Sequence, residues 1–229
     1  ESLKNNIFGT LTLCKCALKV GVKNFTLIST DKAVRPTSIM GASKRLAEMV
    51  CQSLTLDQKD TVFSIVRFGN VLGSSGSAFN TFNEKIKKKE SIQITDINMT
   101  RYFMTLDQAV SLLLKTQEIS NGGESYVYDM GEPYKIFELV KKLANLYGLT
   151  IGKIPNDDLN LEIVGLRKGE KLYEEIFVKT DEIKVIYNNI FEAKEPYFHF
   201  DKIHEYFEKL QVFYNKKEIN AINKIFEEL

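Results

Sequence analysis

Residues Thr61–Phe68 place Val62, Phe63, Ile65 and Val66 in a run that is apolar on both faces of a strand, with segments of helical spacing before and after it. A strand without a polar face must be covered from both sides, as in a parallel sheet sandwiched between helices. The same alternation begins further upstream. Leu11, Leu13, Cys14, Ala17 and Leu18 recur at helical spacing, and Gly21 follows where a helix would stop. Phe25–Ser29 reads as a strand, and Ile39–Leu56, beyond a polar loop containing Pro36, reads as a helix. Residues 1–90 therefore predict half of a doubly wound α/β sheet. Beyond them the pattern is less regular: strands near Ile92–Thr95, Tyr126–Asp129 and Leu161–Val164, and helices near Leu106–Glu118 and Ile136–Tyr147, suggest a smaller α+β lobe over 91–198 with some segments returning to the sheet. Ile203, Phe207, Leu210, Ile219, Ile222 and Phe226 mark two amphipathic helices, separated near Tyr214–Lys216, as a cap over 199–229.

Charge narrows the partners. Lys and Arg number 31 against 30 Asp and Glu, a net charge of +1, so no global field draws a nucleic acid or an anionic membrane. An anionic ligand must be held by a local site. Lys85–Lys89, with four lysines, reads as the solvated end of a helix, and no nucleic-acid partner is expected. No apolar run approaches the roughly 20 residues that span a bilayer. Cys14, Cys16 and Cys51 are an odd set without zinc-ligand spacing, which suits a reducing, cytoplasmic setting and buried thiols. His199 and His204 lack acidic or cysteine partners at ligand spacing, so no metal is expected. The chain opens on Glu1 in what reads as a helix already under way, as an internal piece of a longer protein would.

Three segments hold candidate chemistry. Ser29-Thr30-Asp31-Lys32 stands at the carboxyl end of a predicted strand, where open α/β sheets bind their ligands. Two readings are open for it: a catalytic cluster of hydroxyl, acid and amine, or a turn in which Thr30 and Asp31 satisfy local backbone groups. Met40 and Lys44 lie four apart at a helix start, on one face. The third group comprises the polar breaks Gly69–Gly76, Thr100–Thr105 and Gly165–Lys171. The first of these mimics a dinucleotide fingerprint, but its glycines run G-x3-G-x2-G instead of G-x-G-x-x-G, so a substrate-facing loop is expected there.

Taken together, the run from Ser29 through Met40-Gly41-Ala42-Ser43-Lys44 to Arg45, then Arg67-Phe68-Gly69-Asn70-Val71-Leu72-Gly73-Ser74, Met99–Thr105, Asp129–Pro133 and Gly165–Glu174, resembles the CapD-like polysaccharide-biosynthesis proteins. These are nucleotide-sugar dehydratases of the extended short-chain dehydrogenase/reductase superfamily. The resemblance runs in order along essentially the whole chain. It implies the second half of a Rossmann-type domain, with 1–90 on the nicotinamide side and 91–198 mainly holding the nucleotide sugar. The implied activity is NAD-dependent conversion of UDP-N-acetylglucosamine to a 4-keto-6-deoxy sugar in bacterial glycan assembly.

Residue by residue, the resemblance assigns catalysis to Thr30, Asp31, Lys32, Met40 and Lys44, the cofactor to Ser29, Thr30, Lys44 and Phe68, and the UDP-sugar to Asn70, Arg101, Arg167 and Glu170. Asp31 is the expected acid, Lys32 the expected base, and Lys44 the holder of the nicotinamide ribose and a cation able to favour a neutral Lys32. Two departures matter. The superfamily's Tyr four residues before its Lys is Met40 here, a thioether without a proton to give, which marks the retaining branch and shifts proton chemistry to Thr30, Asp31 and Lys32. The Gly-rich phosphate loop of the first Rossmann half has no counterpart, so that half is an expected partner and the 229 residues alone are expected to be inactive. A homo-oligomer is expected of the complete protein, with membrane attachment, if any, through an upstream segment that would make this the cytoplasmic domain of an inner-membrane protein. The rival is a noncatalytic nucleotide-sugar-binding fragment. Asp31 and Lys32 can share a substrate only if the strand ends before them, because consecutive strand residues point to opposite faces.

Overall fold

The computed structural model describes residues 2–58, 60–74, 76–152, 157–177, 183–187, 189–193 and 195–227. Glu1, Ser75, Glu228 and Leu229, which fall within segments read above, lie outside the described residues. A π-helical segment (Leu3–Phe8) leads into α1 (Gly9–Val20), β1 (Asn24–Thr30), a 3-10 turn (Asp31–Ala33), α2 (Ile39–Asp57), β2 (Val62–Phe68), β3 (Asn70–Val71), α3 (Ala78–Lys87), β4 (Ile92–Ile94), β5 (Thr100–Arg101) and β6 (Phe103–Met104). Then follow α4 (Leu106–Ile119), β7 (Ser125–Tyr128), β8 (Tyr134–Lys135), α5 (Ile136–Leu146), β9 (Ile151–Gly152), β10 (Leu159–Ile163), β11 (Ile183–Tyr187), β12 (Ile190–Ala193), α6 (Phe200–Lys216) and α7 (Ile219–Glu227). Two compact units divide them: Glu1–Phe68, Val110–Asp129 and Glu175–Leu229 in the first, Gly69–Ala109 and Met130–Glu174 in the second.

The first unit is built on a sheet of order β1-β2-β7-β12-β11. β1, β2 and β7 run parallel, as a strand buried on both faces requires. The alternation along β2 sends its side chains to two different cores. Phe63 and Ile65 enter one core with α1, α2, α6 and α7, whereas Val66 enters another with Leu112 of α4, Tyr126 and Ile190. Phe63, Ile65 and Val66 are fully buried, each contributing about 1.5–3 kcal/mol of transfer free energy. Gly21 ends α1 in the left-handed region at φ 70°, where its N–H and that of Val22 satisfy the last carbonyls.

The cap forms from Ile203, Tyr206, Phe207 and Leu210 of α6 with Ile222 and Ile225 of α7, which join the α2 core; the break between the helices falls at Lys217, just past the expected point. Cys14 and Cys51 are buried with their sulfurs 3.8 Å apart, but Cys16 is exposed, because two residues along a helix is about half a turn. The antiparallel pair β11–β12 extends the sheet at one edge and was not read in the sequence. β11 lies at the edge of the sheet, where Val185 and Tyr187 face solvent.

In the second unit, β4-β10-β9 form a parallel sheet. Phe82 and Ile86 of α3 and Ile136, Val140, Leu143 and Ala144 of α5 pack with Ile92, Ile94, Leu159 and Leu161 of that sheet. Two further pairs, β3–β6 parallel and β5–β8 antiparallel, are only two residues long. No helix among the described residues is long and apolar enough to cross a membrane.

Candidate active site

β1 and β2 end level with each other, Thr30 pairing with Phe68 and Ser29 with Arg67. The strand conformation stops at Thr30, and the chain turns at once into the 3-10 turn, with Thr30 as its N-cap, its hydroxyl oxygen accepting from the Lys32 amide at 3.4 Å. The requirement for Asp31 and Lys32 to meet is thereby satisfied. Thr30 Oγ1 donates to Asp31 Oδ1 at 2.9 Å, and Lys32 Nζ donates to the same oxygen at 2.9 Å. Of the two readings left open for this segment, the local-turn role applies to Thr30, whereas the Asp31 carboxylate is engaged by side chains. Asp31 is 1% exposed, and its Oδ2 is buried without a hydrogen-bond partner among the described residues.

Helix α2 starts on a Ser38 cap, whose hydroxyl accepts from the Gly41 amide at 3.2 Å. Gly41 packs directly on the turn: a Cβ at this position would collide with the Lys32 carbonyl oxygen. This close approach joins the two motifs that are separated in sequence. Lys44, one turn on from Met40, crosses to β1 and donates to the Ile28 carbonyl at 2.9 Å. Burial lowers the Lys44 pKa, and the negative charge of Glu48 opposes that effect. Met40 is 39% exposed.

Behind the sheet edge lies a charged cluster that the sequence reading missed. Arg67 grips Glu48 of α2 through Nε at 2.9 Å and Nη2 at 2.7 Å, and Glu195 through Nη1 and Nη2 at 2.6 Å each. Arg45 Nη1 reaches Glu48 at 2.9 Å, and its Nη2 donates to the Pro196 carbonyl at 2.6 Å. All four charged side chains are buried. Burial pushes the Glu48 pKa up, but the Arg67 charge and hydrogen bonds outweigh it and hold the carboxyl at about 2, helped by Arg45. The available signal was Arg67, a cation among apolar strand residues on the face of Phe63 and Ile65; its acids lie 19 residues upstream and 128 downstream, at no recognisable spacing.

The four residues assigned to the UDP-sugar fall in the second unit and share partners. Asn70 Nδ2 donates to the Tyr102 carbonyl at 2.9 Å, beside Arg101. Arg101 is buried, donating to the Thr100 carbonyl at 2.7 Å, with Glu170 and Glu174 each 3.7 Å from its guanidinium. Glu170 also accepts from the Arg167 amide at 3.2 Å, while the Arg167 side chain is exposed. Among the described residues, no group of His, Cys, Asp and Glu is arranged to hold a metal ion.

A parallel sheet edge with this turn, a helix-borne lysine and a downstream arginine–acid cluster invites comparison with known proteins. Residues 1–195 match the family described as polysaccharide biosynthesis protein. This chain belongs to that family. Within it, the chain is 43% identical over 199 residues to the capsular polysaccharide biosynthesis protein CapD of Staphylococcus aureus, covering 86% of this chain and 32% of CapD. It is 34% identical over 190 residues to the inverting UDP-N-acetylglucosamine 4,6-dehydratase of Campylobacter jejuni subsp. jejuni serotype O:23/36 (strain 81-176), covering 82% of this chain and 53% of that enzyme. The crystal structure of Pen from Bacillus thuringiensis aligns with a TM-score of 0.74 at 32% identity, covering 85% of this chain and 58% of Pen. The fold is therefore Rossmann-type, as expected for this polysaccharide biosynthesis family member, and the chain spans about a third of CapD and about half of the dehydratase.

Proposed function

We propose that this family member provides the dehydration site of a UDP-N-acetylglucosamine 4,6-dehydratase, used in polysaccharide assembly. The observation that carries the proposal is the turn at the end of β1, which joins Thr30, Asp31 and Lys32 in one hydrogen-bonded chain with two links of 2.9 Å. Bound NAD would supply the hydride acceptor needed for oxidation at sugar C4 and the hydride donor needed for reduction at C6. The residues at the sheet edge suit its nicotinamide end: Lys44 offers a partly buried cation toward the ribose, with Ser29, Thr30 and Phe68 on the level strand ends.

The protons can be followed through this chain's own side chains. Oxidation at C4 releases the hydroxyl proton, which passes through Thr30 to Asp31 along the existing hydrogen bond. Lys32 is assigned to take the proton from C5, made acidic by the C4 ketone. Asp31 delivers its proton to the departing C6 hydroxyl, which leaves as water. Lys32 then returns its proton to C5, so the side chains finish as they began and one water is lost. Oδ2 of Asp31, buried without a partner among the described residues, would gain a donor from a substrate hydroxyl. Met40 takes no part in proton transfer.

Asn70, Arg101, Arg167 and Glu170 are assigned to the UDP moiety, since guanidinium groups recognise phosphate in a bidentate manner. A noncatalytic nucleotide-sugar-binding module would need those arginines but not the adjacent acid and amine. The first half of the dinucleotide site is assigned to an upstream segment of the complete protein. Incubating that full-length protein with UDP-N-acetylglucosamine and NAD tests the reading. A 4-keto-6-deoxy sugar nucleotide is expected, whereas binding without turnover would favour the module.

A further inference from the structure

The Arg67–Glu48–Glu195–Arg45 cluster balances two positive charges against two negative ones, so burial alone does not require any of its members to sit near Lys44. Yet Glu48 lies one helical turn beyond Lys44 on α2, on the same face. Its carboxylate is fixed at both oxygens by Arg67 of β2. Lys44 in turn is tied to β1 at the Ile28 carbonyl, next to Ser29.

We infer that Glu48 is a positioning residue for Lys44: anchored by Arg67, it maintains the charge and aim of the ammonium at the end of β1. The inference rests on the assignment of Lys44 to the nicotinamide ribose. The physical reason is that a half-buried ammonium tends to lose its proton, and a fixed carboxylate nearby counteracts that tendency. A carboxylate left mobile or itself protonated would not serve, which gives the two arginines their part.

The other charges on elements packed against α2 do not compete for this role. Asp31 and Lys32 of the turn are paired with each other, and Arg67 of β2 is held by Glu48 and Glu195. Lys4 of the π-helical segment, Lys15 and Lys19 of α1, and the charged side chains of α6 and α7 are exposed, and β1 brings no charged side chain.

The test reads the Lys44 amine directly. The pH dependence of its acetylation by acetic anhydride, followed by mass spectrometry of the Lys44 peptide, reports the fraction of neutral amine. In Glu48→Gln the midpoint is expected to move about 1 pH unit lower, and the alkaline limb of the full-length enzyme's kcat/KM profile is expected to move with it. Glu195→Gln removes the same charge from the same cluster away from Lys44, so it should lower stability without moving either midpoint. If Glu48→Gln does not fold, the double variant Arg45→Gln/Glu48→Gln keeps the cluster neutral and answers the same question. A Lys44 midpoint unchanged from wild type in either Glu48 variant overturns the inference. Lys44→Met separates it from the functional reading: wild-type turnover in that variant would dismiss the assignment of Lys44, whatever the labelling shows.

Discussion

Gly41, on the first turn of α2, lies so close beneath the Lys32 carbonyl that a single methyl group would overlap the oxygen. The contact sets the distance between the turn bearing Asp31 and the helix bearing Lys44. Gly41→Ala is therefore expected to cost about 1–3 kcal/mol, the usual range for overpacking a filled site, and to lower kcat by displacing the turn. Urea midpoints and single-turnover rates measure the two effects, and wild-type values for both would mean that the contact relaxes freely.

Asp31→Asn keeps the shape of the side chain but removes the acid. In the full-length protein kcat is expected to fall roughly 10²–10⁴-fold, with UDP-sugar affinity retained. Turnover above about a tenth of wild type would remove Asp31 from the mechanism.

Met40→Tyr restores a phenol at the superfamily position. No gain in turnover is expected, because Thr30, Asp31 and Lys32 already account for each proton. An increase in kcat would show that the thioether is a deficiency.

The arginines of the second unit should behave differently from each other. Arg167 is exposed, so Arg167→Ala is expected to weaken UDP binding without changing the unfolding midpoint. Arg101 is buried with Glu170 and Glu174 within 3.7 Å, so its removal should lower both affinity and stability, the latter by about 3–5 kcal/mol for a broken buried pair. Calorimetry with UDP and urea titration distinguish these effects, and unchanged UDP affinity in both variants would return the arginines to a structural role.

Glu48 predicts an acid limit to stability. Its folded pKa of about 2 lies below its ordinary value of 4.5, so its contribution is complete above pH 4.5 and is lost as pH falls toward 2. The drop amounts to about 3 kcal/mol. Urea unfolding at a series of pH values should show this slope in wild type and a shallower one in Glu48→Gln; equal slopes would assign the acid sensitivity to other carboxylates.

How much of this was readable in the sequence depends on the range of the interactions. The β1 and β2 strands, α1 with its Gly21 stop, and α2 announced themselves through periodicity, because each buries a face against neighbours it meets nearby in the chain. The two-residue strands of the second unit carry no period, and β11 is an edge strand with solvent on one side. In the site, Thr30, Asp31 and Lys32 were legible as a motif, but their convergence depended on where β1 stops. Arg67 was visible as a residue, yet its acids Glu48 and Glu195 are brought to it only by the folded sheet.

In the proposed reaction the turn at the end of β1 moves the C5 proton during loss of water from C6. Turnover of UDP-N-acetylglucosamine by the full-length protein in D₂O, with the product examined by mass spectrometry and NMR, tests it directly. A 4-keto-6-deoxy product bearing solvent deuterium at C5 is expected from wild type and should be lost together with turnover in Lys32→Met. A C4 epimer formed without loss of water, or undiminished dehydration by Lys32→Met, would contradict it.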